Sequence, residues 1–278
     1  MRLVRTYQEM EALADEALRS GKRIGFVPTM GYLHAGHASL MDLARPDCDL
    51  LVVSVYVNPL QFGPSEDLTR YPRDPEGDAR LCEAHGADVL FMPADLYPDG
   101  FATHVSVPEL SSTLCGASRP GHFDGVATVC ARLFGLTRAD FAVMGEKDFQ
   151  QVAVLRRMTE DLGLRTRIVP APLIRDTDGV ALSSRNTYLS EDERRRAATL
   201  HRALFAMRDA AERGTTDVAS LLELGRAALD CDRLDYLEIV DAASLRAIDV
   251  LGDRPARALG AAIYGRTRLI DNIAIGAS

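Results

Sequence analysis

Two histidines three residues apart, His34 and His37, lie in the run Pro28-Thr29-Met30-Gly31-Tyr32-Leu33-His34-Ala35-Gly36-His37. At helical spacing such a pair points both imidazoles to one side. Imidazole N–H groups donate to phosphate oxygens, more strongly when protonated. The run follows an apolar stretch at 24–28 that reads as a strand, and it opens a stretch at 36–44 that reads as a helix. A helix start offers an anion unpaired backbone N–H groups and partial positive charge. Gly31 and Gly36 let the backbone bend and approach a phosphate closely. A metal pair is the competing reading, but no third ligand type stands nearby.

Four further segments could do related chemistry. Asn58 and Gln61, in Val57-Asn58-Pro59-Leu60-Gln61-Phe62, are neutral hydrogen-bonding groups at a strand's end, suited to orienting hydroxyls and a carboxylate. In Tyr71-Pro72-Arg73-Asp74-Pro75-Glu76-Gly77-Asp78, a proline before acidic residues reads as a helix start. Carboxylates there can complement the helix dipole or hold Mg²⁺ beside a nucleotide. In Met144-Gly145-Glu146-Lys147-Asp148-Phe149-Gln150-Gln151, Lys147 is a mobile cation suited to a phosphate. Asp148 can cap the following helix, with Gln151 one turn on. Two hydroxyls and a guanidinium in Leu182-Ser183-Ser184-Arg185 would clamp a polyphosphate. Neither a G-x-G-x-x-G nor a G-x-x-x-x-G-K-[ST] occurs, so the usual dinucleotide and P-loop signatures are missing.

The elements that must hold these groups alternate. Apolar runs at 24–28, 50–57, 89–92, 105–107, 141–144 and 167–169 read as strands; 7–20, 36–44, 74–86, 122–138 and 148–162 read as helices. That alternation predicts α/β architecture: a Rossmann-like, doubly wound parallel sheet with helices on both faces. Ligands then bind beyond the carboxyl ends of the strands, where the histidine run falls. After Pro170-Ala171-Pro172 the pattern changes. Ser190 and Glu193 form a capping box for a helix running to about 213, a second helix covers 217–229, and strands follow near 236–240, 262–264 and 267–270. We therefore divide the chain into 1–173 and a smaller C-terminal α+β domain, 174–278.

The 278 residues carry 40 acidic and 32 basic side chains, a formal charge of −8, which gives no footprint for nucleic acid. The five cysteines form no C-x-x-C pair, arguing against a zinc site or disulfide framework and for reduced thiols in the cytoplasm. No run approaches the roughly 18 apolar residues of a membrane span.

Taken in order, these segments resemble the pantothenate synthetase family, within the H-x-G-H nucleotidyltransferase superfamily. The motifs are P-T-M-G-x-L-H-x-G-H, V-N-P-x-Q-F, Y-P-R, S-R-P-G-H-F-x-G-V-x-T-V, G-x-K-D-x-Q-Q, L-S-S-R-N-x-Y-L and a terminal G-x-T-R-L-I-D-N, spread over nearly the whole chain. The resemblance implies a homodimeric ligase that joins pantoate to β-alanine at the expense of ATP. Pantoate's carboxylate attacks the α-phosphorus, releasing pyrophosphate; β-alanine's amine then displaces AMP. It assigns ATP contacts to Met30, Gly31, Tyr32, Leu33, His34, Ala35, Gly36 and His37, to Gly145, Glu146, Lys147 and Asp148, and to Ile174, Leu182, Ser183, Ser184 and Arg185, with the second domain closing over ATP. Asn58, Gln61 and Gln151 match substrate ligands. His37 matches the family's proton donor; adenylate formation calls for charge stabilisation, so we read it as a phosphate donor. His34, Lys147, Ser183 and Arg185 complete the expected catalytic set. Gly77 interrupts the denser acidic run of the family, leaving Asp78 as the candidate Mg²⁺ ligand. The alternatives are another H-x-G-H nucleotidyltransferase and a non-catalytic nucleotide-binding module.

Overall fold

The computed structural model describes residues 1–64 and 66–276. They divide into two compact units. One comprises Met1–Ser112, Arg119–Glu146 and Gln151–Pro172; the other comprises Thr113–Ser118, Lys147–Gln150 and Leu173–Ser278. The second unit thus takes in two short segments from before residue 173.

The first unit is built on six parallel strands: β1 (Arg2–Val4), β2 (Ile24–Thr29), β3 (Leu50–Val55), β4 (Val89–Phe91), β5 (Phe141–Gly145) and β6 (Arg167–Ala171). Their order is β1-β4-β3-β2-β5-β6. Successive side chains point to opposite faces. Ile24 and Phe26 of β2 therefore enter one core with Met10, Val126, Phe134 and Leu155, whereas Val27 enters another with Leu40, Met41, Val53 and Cys82. A sheet buried on both faces needs near-continuous apolar strands, which is why these runs were readable. The first core is covered by α1 (Tyr7–Arg19) and α6 (His122–Thr137); the second is covered by α2 (Ala35–Ala44) and α3 (Pro75–Ala84). From β2 the chain winds outward through β3 and β4, then returns to β5 on the other side. The sheet's switch point therefore lies between β2 and β5.

One expected strand is absent. Residues 105–107 pair with no strand; the Val105 N–H donates instead to Thr128 Oγ1 at 3.0 Å, and Val107 leads straight into a short helix, α4 (Pro108–Ser111), opened by its proline. Conversely, β1 was not anticipated, because only Val4 of its three residues is buried.

The second unit includes α5 (Cys115–Ser118) and an antiparallel sheet of β7 (Arg233–Asp241), β8 (Ala256–Tyr264) and β9 (Thr267–Ile275), in that order. Against the sheet pack α8 (Glu191–Glu212) and α9 (Val218–Ala228), burying Leu204, Met207, Leu221, Leu237 and Ile239. The capping box is formed: Glu193 N–H donates to Ser190 Oγ at 3.3 Å, and Ser190 N–H to Glu193 Oε2 at 2.7 Å. The remaining helix, α7 (Phe149–Asp161), follows β5.

Cys130 on α6 is 4% exposed, and burial alone pushes its thiol up to about 12. It packs as a small hydrophobe. Cys130→Ser is expected to lower stability by about 1–2 kcal/mol in denaturant titrations, with activity retained below the unfolding transition.

Candidate functional site

The turn after β2 is shaped by charge and by backbone conformation. Gly31 and Tyr32 both adopt positive φ, +88° and +53°. Gly31 has no room for more: a Cβ there would stand 2.8 Å from Val55 Cγ1 and 3.0 Å from Asp78 Oδ2. Tyr32 pays a conformational cost, since a side chain disfavours this region. Asp78 offsets it from the first turn of α3. Its Oδ2 accepts the Tyr32 N–H at 3.0 Å and its Oδ1 the Leu33 N–H at 2.6 Å. Thr29 Oγ1 accepts the Gly31 N–H at 3.2 Å and donates to the Ser54 carbonyl at 2.7 Å.

Asp78, the candidate Mg²⁺ ligand from sequence, is engaged here with the backbone of the turn. Its carboxylate is 2% exposed, with both oxygens on backbone N–H groups. Burial pushes its carboxyl above the usual range, against the pull of the Leu33 and Tyr32 amides. Asp78→Asn keeps the shape but turns one acceptor into a donor facing an N–H. We expect a loss of about 1–3 kcal/mol of stability from one unsatisfied amide, and a raised KM for ATP. Unchanged melting and kinetics would remove Asp78 from the turn's support.

The histidines then cap α2. His34 Nδ1 accepts the Gly36 N–H at 3.1 Å, and His37 Nδ1 accepts the His34 N–H at 3.3 Å. An accepting ring nitrogen carries no proton, so both neutral rings hold theirs on Nε2. The rings lie 4.2 Å apart, tilted by 47°. Each imidazole is thus a donor of fixed tautomer, anchored at a helix start where the dipole favours anions.

The turn after β3 is tied to this one. Asn58 is 1% exposed. Its Nδ2 donates to Gln61 Oε1 and to the Gly125 carbonyl, both at 3.0 Å; its Oδ1 accepts from Leu60 N–H at 3.3 Å and Tyr97 Oη at 2.8 Å. Its full hydrogen-bonding capacity is met within the protein. Asn58, expected from sequence beside substrate, orients Gln61. The Asn58 bond orients the Gln61 carboxamide, Oε1 toward Asn58, and its Nε2 meets Met30 Sδ at 3.1 Å.

Residues from the S-R-P-G-H-F-x-G motif, to which no role was assigned from sequence, hold the main chain of Gln61. The Gln61 carbonyl accepts from His122 Nδ1 at 2.8 Å, so His122 Nε2 is the acceptor for Arg119 Nη1 at 2.9 Å. Arg119 in turn forms two hydrogen bonds to Glu66, at 2.8 and 2.6 Å. Gly145 closes β5, Glu146 opens the 3₁₀ turn that follows, and Gln151 is half-buried in the first turn of α7.

In the second unit, a hairpin brings two expected segments side by side. Leu182 N–H donates to the Ile174 carbonyl at 3.0 Å, and Arg175 bridges to Ala181. Ile174 is exposed. Ser183 Oγ caps the 3₁₀ turn Ser184–Tyr188 by accepting the Arg185 N–H at 3.3 Å. Ser184 is buried and Arg185 half-buried. Lys147, its Nζ 3.5 Å from Asp148 Oδ2, lines one small cavity with Ser183 and Asp271. Among the described residues no cluster of three metal-type side chains forms.

Strand order and a helix start at the switch point define a Rossmann-like α/β protein. The sequence pattern described as pantoate-beta-alanine ligase matches residues 2–274, and the chain belongs to that family. It is 49% identical over 280 residues to the pantothenate synthetase of Heliobacterium modesticaldum, covering 99% of both chains. It is 50% identical to that of Pseudomonas entomophila, covering 98% of this chain and 97% of the relative. The crystal structure of pantothenate synthetase from Thermus thermophilus superposes with a TM-score of 0.94 at 46% identity, covering all of both chains. The Francisella tularensis ligase, solved with β,γ-ATP and β-alanine, gives 0.81 at 31% identity, covering 98% of this chain and 97% of that one.

Proposed function

We propose that this chain condenses pantoate with β-alanine, using ATP and passing through pantoyl adenylate. In the first step a carboxylate oxygen bonds to the α-phosphorus as the bond to pyrophosphate breaks. In the second, the amine bonds to the acyl carbon, AMP departs, and the nitrogen loses a proton. Activation is needed because a free carboxylate has no good leaving group.

The observation that carries this reading is the link between two preorganised turns: Gln61, oriented by Asn58, meets Met30 in the same turn that fixes the His34 and His37 tautomers. A neutral carboxamide holds an acid without protonating it. Fixed N–H donors stabilise the negative charge that builds on phosphate oxygens at the moment of attack. His37 and His34 act here as hydrogen-bond donors. Lys147, Ser183 and Arg185 are proposed as further phosphate ligands, with Gly145, Glu146, Asp148, Ile174, Leu182 and Ser184 around the nucleotide and Gln151 on pantoate. Their order in the family motifs supports these roles. Mg²⁺ is proposed to arrive with ATP, because Asp78 is committed to the Tyr32–Leu33 amides and no set of side-chain ligands gathers among the described residues. The family resemblance also supports a homodimer; the absence of paired cysteine motifs supports a cytoplasmic setting.

The test is a three-substrate assay. Pantoate-dependent pyrophosphate release, with AMP appearing as amide forms, is expected. Pyrophosphate release independent of pantoate would point to another nucleotidyltransferase, and ATP binding without turnover to a non-catalytic module.

A further inference from the structure

The terminal G-x-T-R-L-I-D-N motif runs from the turn at Gly265 into β9, and the reaction as described gives its last two residues no task. Both are buried, Asp271 at 4% and Asn272 at 3% exposure. A buried carboxylate and a buried carboxamide are costly unless their partners are placed for them. Here the partners are segments expected to hold ATP. Asn272 Nδ2 donates to the Lys147 carbonyl at 3.0 Å. The amide cannot turn over, because its Oδ1 accepts from Arg257 Nε at 2.8 Å. Arg257 also stacks on Phe149, two residues beyond Lys147, with 4.4 Å from its guanidinium carbon to the ring centroid. Asp271 takes both ends of the Arg175 guanidinium, at 2.6 and 2.8 Å. Arg175 Nη1 then donates to the Gly179 carbonyl at 3.0 Å, holding the hairpin on which Ile174 and Leu182 face each other.

We propose that Asn272, locked by Arg257, is a positioning residue for Lys147, and that the Asp271–Asn272 pair sets the nucleotide affinity of this unit from β9. A lysine is a long, mobile point charge; its main chain must be fixed if its ammonium is to meet a phosphate reproducibly. Asn272 grips the carbonyl of the same residue. The inference rests on Lys147 serving ATP.

Asn272→Asp separates positioning from packing. The carboxylate keeps the shape and strengthens the Arg257 contact, yet presents an acceptor to the Lys147 carbonyl. We expect kcat/KM for ATP to fall at least about 10-fold, as for a displaced transition-state donor. KM for β-alanine should change less than about 2-fold. Arg257→Gln, which leaves Asn272 in place but frees its amide to rotate, should show the same ATP-selective loss at smaller size, and it serves if Asn272→Asp does not fold. Lys147→Ala is run alongside. If Lys147→Ala turns over normally, the reading beneath the proposal is wrong. If Lys147→Ala is impaired while both other variants keep parental kinetics, or lose efficiency equally for all three substrates in step with their melting temperatures, positioning by Asn272 is refuted.

Discussion

Lys147→Ala is expected to lower turnover by roughly 10²-fold or more, the usual cost of removing one charged donor from a transition state. Lys147 lies at the 3₁₀ turn Glu146–Asp148 that leads into α7, its carbonyl held by Asn272, and it lines one small cavity together with Ser183. Its salt partner, Asp148, is 3.5 Å away and half-exposed, a contact worth well under 1 kcal/mol. Removing the ammonium therefore costs the fold little, so the loss should appear in kinetics and not in melting. Steady-state assays of pyrophosphate release, with ATP varied at saturating pantoate, distinguish weaker ATP binding from slower attack. Arginine at this position should restore only part of the rate, because its planar fork does not place a point charge where an ammonium sits. Parental kinetics in the alanine variant would exclude Lys147 from the reaction.

The second large effect comes from a residue with no polar atoms in its side chain. Gly125 lies on α6, where alanine would ordinarily stabilise a helix by about 1 kcal/mol. A Cβ there, however, would stand 2.3 Å from the Leu60 carbonyl oxygen, 2.5 Å from its carbon and 2.6 Å from Gln61 N. Those atoms are backbone, and they are pinned: Asn58 bonds the Gly125 carbonyl and the Leu60 N–H, and His122 bonds the Gln61 carbonyl. Nothing there can yield by rotating a side chain. Gly125→Ala should therefore lose about 2–4 kcal/mol of stability, overpacking outweighing propensity, and should shift Gln61 enough to raise KM for pantoate about 10-fold or more, the order expected for misplacing a substrate-orienting group. Guanidinium titration and pantoate kinetics measure both. A variant more stable than the parent, with the same KM, would show that the close approach is not sustained in solution.

What was legible in the amino-acid sequence follows from what is local. Strands buried on both faces advertise themselves as apolar runs, so β2, β3 and β5 were found. β1, with one buried residue at the sheet's edge, carries too little pattern to be seen. Residues 105–107 alternate like a strand, but pairing depends on a neighbour that the chain does not supply. The pairing of His34 and His37 at one helix start was legible because it depends only on spacing along one turn. The hydrogen-bond partners of Asn58 and Asp78 could not be read, because a polar residue near a turn looks the same in sequence whether it faces a ligand or the backbone. The difference lies in partners far along the chain: Gly125 and Tyr97 for Asn58, and Tyr32 and Leu33 for Asp78. The roles of Gly125, His122 and Asn272 are likewise non-local, and only their membership in an ordered motif set marked them.

The cap on α2 has a bearing on how the site handles time as well as charge. A free imidazole in water exchanges its proton between two nitrogens, and a ligand must wait for, and bias, the right form. In His34 and His37 the choice is made when the chain folds, because backbone amides already occupy Nδ1 on each ring. The rings are oriented before any ligand arrives, and neither residue can switch tautomer without undoing the first turn of its own helix. Ring orientation and local folding at this corner are therefore a single cooperative event, and agents that compete for Nδ1 should loosen the helix start and free both rings together.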